Sequence, residues 1–229
     1  LDAKATFSNT SEIAVNTDEF ISKSVTIKSR AIGQIGISSF TVKDARFFNG
    51  VPIVVVNASG EPFDLPPDKN VEVQVQGQVR NLVIPKIEQE FNLNIQEENY
   101  KDYINRPAII ARSLLLAPQP GQITQRPEQY YRRQVVVIGK VENIHSPVLL
   151  TLDENRWFDG KDLLVLLTAS PKVTINQNQT VSVIGEVRSF VAAEIERDYD
   201  FPWDKYAKRD LDAKYGNRTV LVAETVDPF

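Results

Sequence analysis

Apolar and polar residues alternate with a period of two through much of this chain, which predicts strands rather than helices. Val71, Val73, Val75 and Val79 alternate with Glu72, Gln74, Gln76 and Gln78. That is the pattern of a strand with one face buried. Gly77 stands where another Val would continue the series, and a glycine inside a strand marks a bulge or a barrel bend. Val25 and Ile27, then Phe40 and Val42, alternate in the same way. Ile53 to Val56 is a continuous β-branched run, as expected of a strand covered on both faces.

The pattern recurs. Val75 to Arg80 (VQGQVR) returns as Val183 to Arg188 (VIGEVR), with Gly77 and Gly185 separated by 108 positions. Ile87 and Glu88 return as Ile195 and Glu196 at the same offset. Phe40 to Asp44 aligns with Leu149 to Asp153, Phe47 to Gly50 with Trp157 to Gly160, and Arg106 to Ala111 with Arg218 to Ala223. Five matches in one order predict an internal duplication. The expected organisation is a flexible leader or added strand over residues 1–20 and a first domain over 21–116. A linker over 117–129 and a second domain over 130–229 follow. The linker expectation rests on Pro118, Pro120, Gly121 and Pro127 among Gln and Thr, a composition that favours a semi-extended chain over a helix or strand interior.

After its clearest strand each copy changes character. Residues 85–103 and 192–215 are rich in Glu, Asp, Lys and Tyr. The run Asp204 to Tyr215 has helix-forming composition with opposite charges at helical spacings. A last strand follows, from Ala108 to Ser113 and from Val220 to Thr225. The predicted fold class is mainly β: two tandem small five-stranded barrels, each with a helix-bearing excursion before its last strand. The runs Val183 to Arg188, Ile195 to Asp200 and Ala223 to Thr225 resemble the OB-fold-like domains of bacterial envelope proteins of unknown function. That resemblance implies an OB-like barrel in each copy. The departure is the helix, which an OB-fold carries between strands three and four and which falls here between four and five.

Composition narrows the chemistry. The 229 residues contain no Cys and one His, His145. Disulfides, thiol nucleophiles and Cys-ligated zinc are therefore excluded. His145 is followed by Ser146 and Pro147 in a predicted turn, and no triad is apparent around it. Gly33 and Gly36 lack the Lys and following helix of a phosphate loop. Neither a cofactor pattern nor an enzyme is predicted. The longest apolar runs, such as Leu163 to Leu167, are strand-sized, and no integral membrane segment is predicted. The chain lacks Met and starts at Leu1, which fits either a trimmed boundary or a cleaved secretory or lipoprotein signal. With the resemblance, the second reading places the protein in an extracytoplasmic compartment.

Two residue groups are candidates for function. Trp157, Phe158, Trp203, Arg188 and Arg80 are candidate partner-binding residues, because exposed aromatics beside arginines mark interfaces and single-strand platforms. Trp203, Pro-flanked among acids, serves equally as an anchor of its own excursion. Glu194, Glu196, Asp198 and Asp200 are candidate ligands for a divalent cation, although Arg197 and Lys205 interleave with them. The leading expectation is a non-enzymatic binding or assembly module of the bacterial cell envelope, with a protein partner or self-association through edge strands. The alternatives are a single-stranded nucleic-acid binder and a divalent-cation-binding envelope protein. A net charge of -4 and a pI near 5.2 disfavour the nucleic-acid reading, since phosphate binding rests on Lys and Arg.

Overall fold

The computed structural model describes residues 6–36, 39–43, 52–66, 71–153 and 162–229. The chain is mainly β and divides into two compact units, Leu1–Leu116 and Ala117–Phe229.

In the second unit five strands close a barrel: β7 (Gln134–Ser146), β8 (Leu149–Leu152), β9 (Leu163–Leu167), β10 (Thr180–Ser189) and β11 (Thr219–Pro228). Strand β7 pairs antiparallel with β8, β8 with β9, β10 with β11 and β10 with β7. The ring is completed by a parallel ladder in which Val220 to Ala223 of β11 face Leu164 to Leu167 of β9. No strand of the ring lacks a neighbour, which removes the open edge that a flat sheet would expose. β9 is buried along its whole length, as its uninterrupted apolar run requires. β10 alternates, with Val181, Val183, Gly185 and Val187 turned inward.

Gly185 is where β10 closes on β11. The ladder register shifts between Ile184 and Gly185, a bulge that bends the strand. A Cβ at Gly185 would run into the carbonyl oxygen of Val222 and lie 2.8 Å from Ala223 Cα. Only a residue without a side chain fits that approach.

Before the last strand the chain leaves the ring through α5 (Ala192–Tyr199) and α6 (Lys205–Tyr215). Asp204 caps α6 by accepting from the Tyr206 and Ala207 N–H groups at 2.9 and 2.8 Å, as a helix N-terminus demands. Ala192, Ile195, Phe201 and Tyr215 bury against Leu149, Leu164 and Leu166 of the ring, so the excursion lies on the outer face of β8, β9 and β11, opposite the inward-turned valines of β10.

The first unit contains β2 (Ser24–Ile35), β3 (Ser39–Lys43), β4 (Ile53–Asn57), β5 (Glu72–Asn81) and β6 (Pro107–Ala117). β2 pairs antiparallel with β3 and β5, and β3 with β4. β4 runs parallel to β6, with Val54 opposite Ala108, and β5 also neighbours β6. β5 buries Val73, Val75, Gly77 and Val79 on one face, as the alternation predicts. A Cβ at Gly77 would run into the Ile110 carbonyl oxygen and lie 2.9 Å from Ala111 Cα. Helix α3 (Ile84–Phe91) and a 3-10 turn at Glu97–Tyr103 intervene before β6. They bury Ile84, Ile87 and Tyr100 with Val54, Val56 and Ile110.

Two stretches carry short helices that their composition did not indicate. The stretch expected to be a flexible leader or an added strand holds β1 (Thr6–Phe7), which pairs parallel with Val25 and Thr26 of β2. Two short helices follow, α1 (Thr10–Val15) and α2 (Thr17–Phe20). Ile13 is the apolar anchor, with no exposed surface, and the Asn9 side chain caps α1 at Glu12 N–H. The Pro/Gln-rich stretch expected to be extended contains helix α4 (Pro120–Gln125). Its proline sits in the first turn, where the missing N–H costs nothing. Gln122 Oε1 accepts the Gln119 N–H at 2.9 Å, and Ile123 is fully buried.

Replacing Gly185 by Ala is expected to lower the stability of the second unit by about 1–3 kcal/mol, the usual cost of forcing extra atoms into a closed contact. Urea unfolding followed by circular dichroism checks this, and an unchanged midpoint would contradict it.

Candidate functional site

Of the residues singled out in the sequence, Arg188 is the most deeply placed. It lies near the end of β10 with only 4% of its side chain exposed. Its Nη2 donates to Asp198 Oδ2 at 2.8 Å, with Glu194 at 3.8 Å, and its Nη1 lies 3.6 Å from Glu186. Its guanidinium sits 5.8 Å from the centre of the Tyr199 ring, whose hydroxyl donates to Glu186 at 2.8 Å. Burial by itself would lower the Arg188 pKa. Its hydrogen bonds to Asp198 and Tyr199 and the charge of Glu186 outweigh that and raise it. Burial first, and Glu186 second, also raise the Tyr199 pKa. A buried cation needs such pairing to stay charged, and Arg188 ties α5 to β10.

The four candidate cation ligands do not converge. Glu196 binds Lys208 at 2.6 Å, which links α5 to α6. Glu194 turns to Arg188. Asp198 accepts from Arg197 Nε and Arg188 Nη2, both at 2.8 Å, with Arg132 at 3.8 Å. These bonds, that of Arg197 foremost, hold its pKa down at about 2. Asp200 ends α5 in the left-handed region, φ 56°. Among the described residues no three His, Cys, Asp or Glu side chains gather as a metal site.

Arg80, at the end of β5, donates through Nη2 to Glu90 at 2.7 Å, while its buried Nη1 has no hydrogen-bond partner among the described residues. Trp203 turns onto its own unit, stacked on Phe201 with centroids 4.6 Å apart and 16° between planes, and 6.4 Å from Phe190. It anchors the excursion. Trp157 and Phe158 lie outside the described residues, as do Phe47 and Phe48. His145 lies on β7 with its ring 6.3 Å from that of Tyr215, and the neighbouring Ser146 hydroxyl accepts from Val148 N–H.

A concavity with accessible polar chemistry lies in the first unit and was not among the sequence candidates. It is a cleft of about 380 Å³ between the start of β3, the end of β4 and the segment joining α3 to the 3-10 turn. Its polar lining is Ser39, Asn57, Asn94, Gln96, Asn99 and Tyr100. Val56, Leu93 and Ile95 supply the apolar part, with Gly36 at the rim. Tyr100 is buried, and its hydroxyl donates to Ser39 Oγ at 2.7 Å. Burial raises the Tyr100 pKa, so it stays a neutral donor at physiological pH. Asn57 is occupied in holding its own turn: it donates to Glu61 O and accepts from Ser59. Asn94, Gln96 and Asn99 are exposed. Among the described residues the lining contains no carboxylate, imidazole or cation.

The sequence did carry a signal for this cleft. Leu93, Asn94, Ile95 and Gln96 alternate apolar with amide. The apolar pair packs on the core while the amides face outward. The Ile95 N–H donates to Glu88 Oε1 at 2.7 Å, which fixes this extended stretch against α3.

Among the described residues no helix is long and apolar enough to cross a membrane. No protein-family model matches the chain, and a search of curated proteins finds no match.

The depressed Asp198 pKa carries a pH prediction. A carboxyl held below its unfolded value, about 3.9, contributes stability that is complete above that value and is lost as pH falls toward about 2. Asp198→Asn is therefore expected to melt at a lower temperature than the native chain at pH 7, with the difference vanishing between pH 4 and pH 2. Melting curves over that range check it, and a pH-independent difference would contradict the assignment.

Proposed function

We propose that the chain is a non-enzymatic binding module of the bacterial cell envelope, built from two tandem copies of one five-stranded, OB-like barrel. The observation that carries the binding reading is the first-unit cleft. It offers hydrogen-bonding groups and apolar surface and, among the described residues, none able to act as a general acid or base near neutral pH. Such a lining can hold a ligand, and it has little means of transforming one.

Correspondences in the backbone support the tandem copies. Leu82 N–H donates to Arg106 O and Asn105 N–H to Leu82 O, while Phe190 N–H donates to Arg218 O and Asn217 N–H to Phe190 O. Asn105 and Asn217 take the same positive φ, 61° and 62°. Ser22 N–H donates to Val79 O as Arg132 N–H does to Val187 O. Arg80 reaches Glu90 as Arg188 reaches Asp198, ten residues on in each case. The OB-like reading is supported by the strand order. First pairs with second, second with third, third runs parallel to fifth, and fourth lies between fifth and first. The helices fall between the fourth and fifth strands, so the likeness is in the ring and not in the helix. Placement in the envelope, outside the cytoplasm, rests on the resemblance of the VIGEVR and IERDYD runs.

The nucleic-acid alternative loses support from Arg80 and Arg188, whose charges are matched by their own carboxylates. A phosphate would have to displace those partners. The cation alternative loses support in the same way from Glu194, Glu196 and Asp198. The edge of β2 beside Val25 and Thr26 is taken by the chain's own Thr6 and Phe7, so strand addition between copies at that edge requires β1 to be displaced or exchanged.

The chain is expected to co-sediment with purified cell-wall or outer-membrane fractions, and Asn94→Trp, which fills the cleft from an exposed position, is expected to abolish this. It is not expected to bind single-stranded oligonucleotides at 50 mM salt. Salt-sensitive oligonucleotide binding without envelope co-sedimentation would overturn the reading.

A further inference from the structure

We infer that the first-unit cleft is a saccharide site selective for uncharged sugars, carrying hydroxyl or N-acetyl groups. The inference rests on the binding reading above and names its ligand class.

Every polar group of the cleft is an amide or a hydroxyl. A charged ligand would enter without a counter-charge in the described lining, and amides and hydroxyls would replace its hydration only in part. A neutral ligand has no such penalty. The second point is the kind of hydrogen bond on offer. Asn94, Gln96 and Asn99 each present a donor and an acceptor at one side-chain tip. Sugar hydroxyls likewise donate and accept, and an N-acetyl group does so through its N–H and C=O. Asn94 is not committed to any side-chain hydrogen bond, and Asn99 Nδ2 reaches Gln96 Oε1 only at 3.4 Å. These groups are therefore available to a ligand. Ser39 accepts from Tyr100, which leaves its own proton free to donate into the cleft.

The third point is shape. Val56, Leu93 and Ile95 give the cleft apolar surface suited to the C–H face of a sugar ring. A volume of about 380 Å³ lies near the lower end of small-ligand sites and suits one or two rings. An extended peptide would be held mainly by a main-chain ladder on an open strand edge, and this cleft presents side chains instead.

The second unit shows what removes such a cleft. The strand registers match Ser39 with Leu149 and Phe40 with Leu150, one residue from the sequence alignment of Phe40 with Leu149, and Leu166 follows Val165 in β9 as Val56 follows Val55 in β4. Leu149 and Leu166 belong to a cluster that includes Phe201 and Tyr215, and Trp203 packs against it. The saccharide site is accordingly assigned to the first unit alone.

The test is a titration of the full chain, followed by amide chemical shifts, with neutral N-acetylhexosamine oligosaccharides and neutral hexose oligosaccharides. Uronate oligosaccharides of the same length are the charged comparison. Saturable shifts confined to Gly36, Ser39 and residues 93–100 are expected for a neutral sugar, with at least tenfold weaker binding of the uronate. Asn99→Ala is expected to weaken binding about tenfold, the size of one lost hydrogen bond, and Asn94→Trp to abolish it. Asn143→Ala, on β7, is the control and is expected to leave binding unchanged. Shift dispersion reports that each variant is folded. Absence of saturable shifts with either neutral series, equal or tighter uronate binding, or full binding by Asn94→Trp would each overturn the inference. If no sugar binds while Asn94→Trp still abolishes envelope co-sedimentation, the ligand class is wrong and the binding reading stands. If the co-sedimentation is also absent, both fail.

Discussion

A five-stranded ring closes only where one strand can lie almost in contact with the next, and in this chain that contact falls on a glycine. At Gly185 the backbone of β11 occupies the space a Cβ would need. The bulge beside it turns β10 far enough to pair with β7 on its other edge. Gly77 meets Ile110 and Ala111 of β6 in the same manner. The valines on either side, Val183 and Val187, or Val75 and Val79, then fill the interior that this approach creates. Hydrophobic burial supplies the driving force, but the missing side chain sets the curvature through which it acts.

The outward apolar residues of the parallel strand pairs explain the rest of the architecture. Each excursion before a last strand covers the outer face of its own unit's parallel pair, β9 with β11 or β4 with β6, and the side chains it brings decide what is left there. In the second unit Phe201, Trp203 and Tyr215 fill the space, and the charges outside them are matched into a network around Arg188. In the first unit the corresponding stretch runs extended past the core with Leu93 and Ile95 inward and amides outward. The result is a neutral, hydrogen-bonding cleft. Under the proposed duplication, one copy keeps a binding surface and the other trades it for packing.

Much of this was legible in the sequence. The strand alternation at Val71 to Val79, the two bend glycines and the helix at Lys205–Tyr215 follow from period, steric need and helix propensity. These are local causes. The helix at Pro120–Gln125 was hidden because its proline reads as a breaker unless the first turn is known to begin there. The packing of residues 8–20 depends on Ile13 finding a buried place, which no local pattern records. Candidate sites fared according to the same divide. Arginines and acids that looked available along the sequence pair with one another in space. The cleft is assembled from Ser39, Asn94 and Asn99, which are far apart or unremarkable in sequence, and its one visible trace is the short alternation from Leu93 to Gln96.

The central physical claim is that Gly185 closes the second ring as a unit. Amide hydrogen exchange on the intact chain and on Gly185→Ala tests it most directly. If closure is cooperative, the slow amides of β7, β8, β9, β10 and β11 lose protection together and by similar factors in the variant. Loss confined to the residues of β10 and β11 that flank position 185, with β7, β8 and β9 as protected as before, would contradict it.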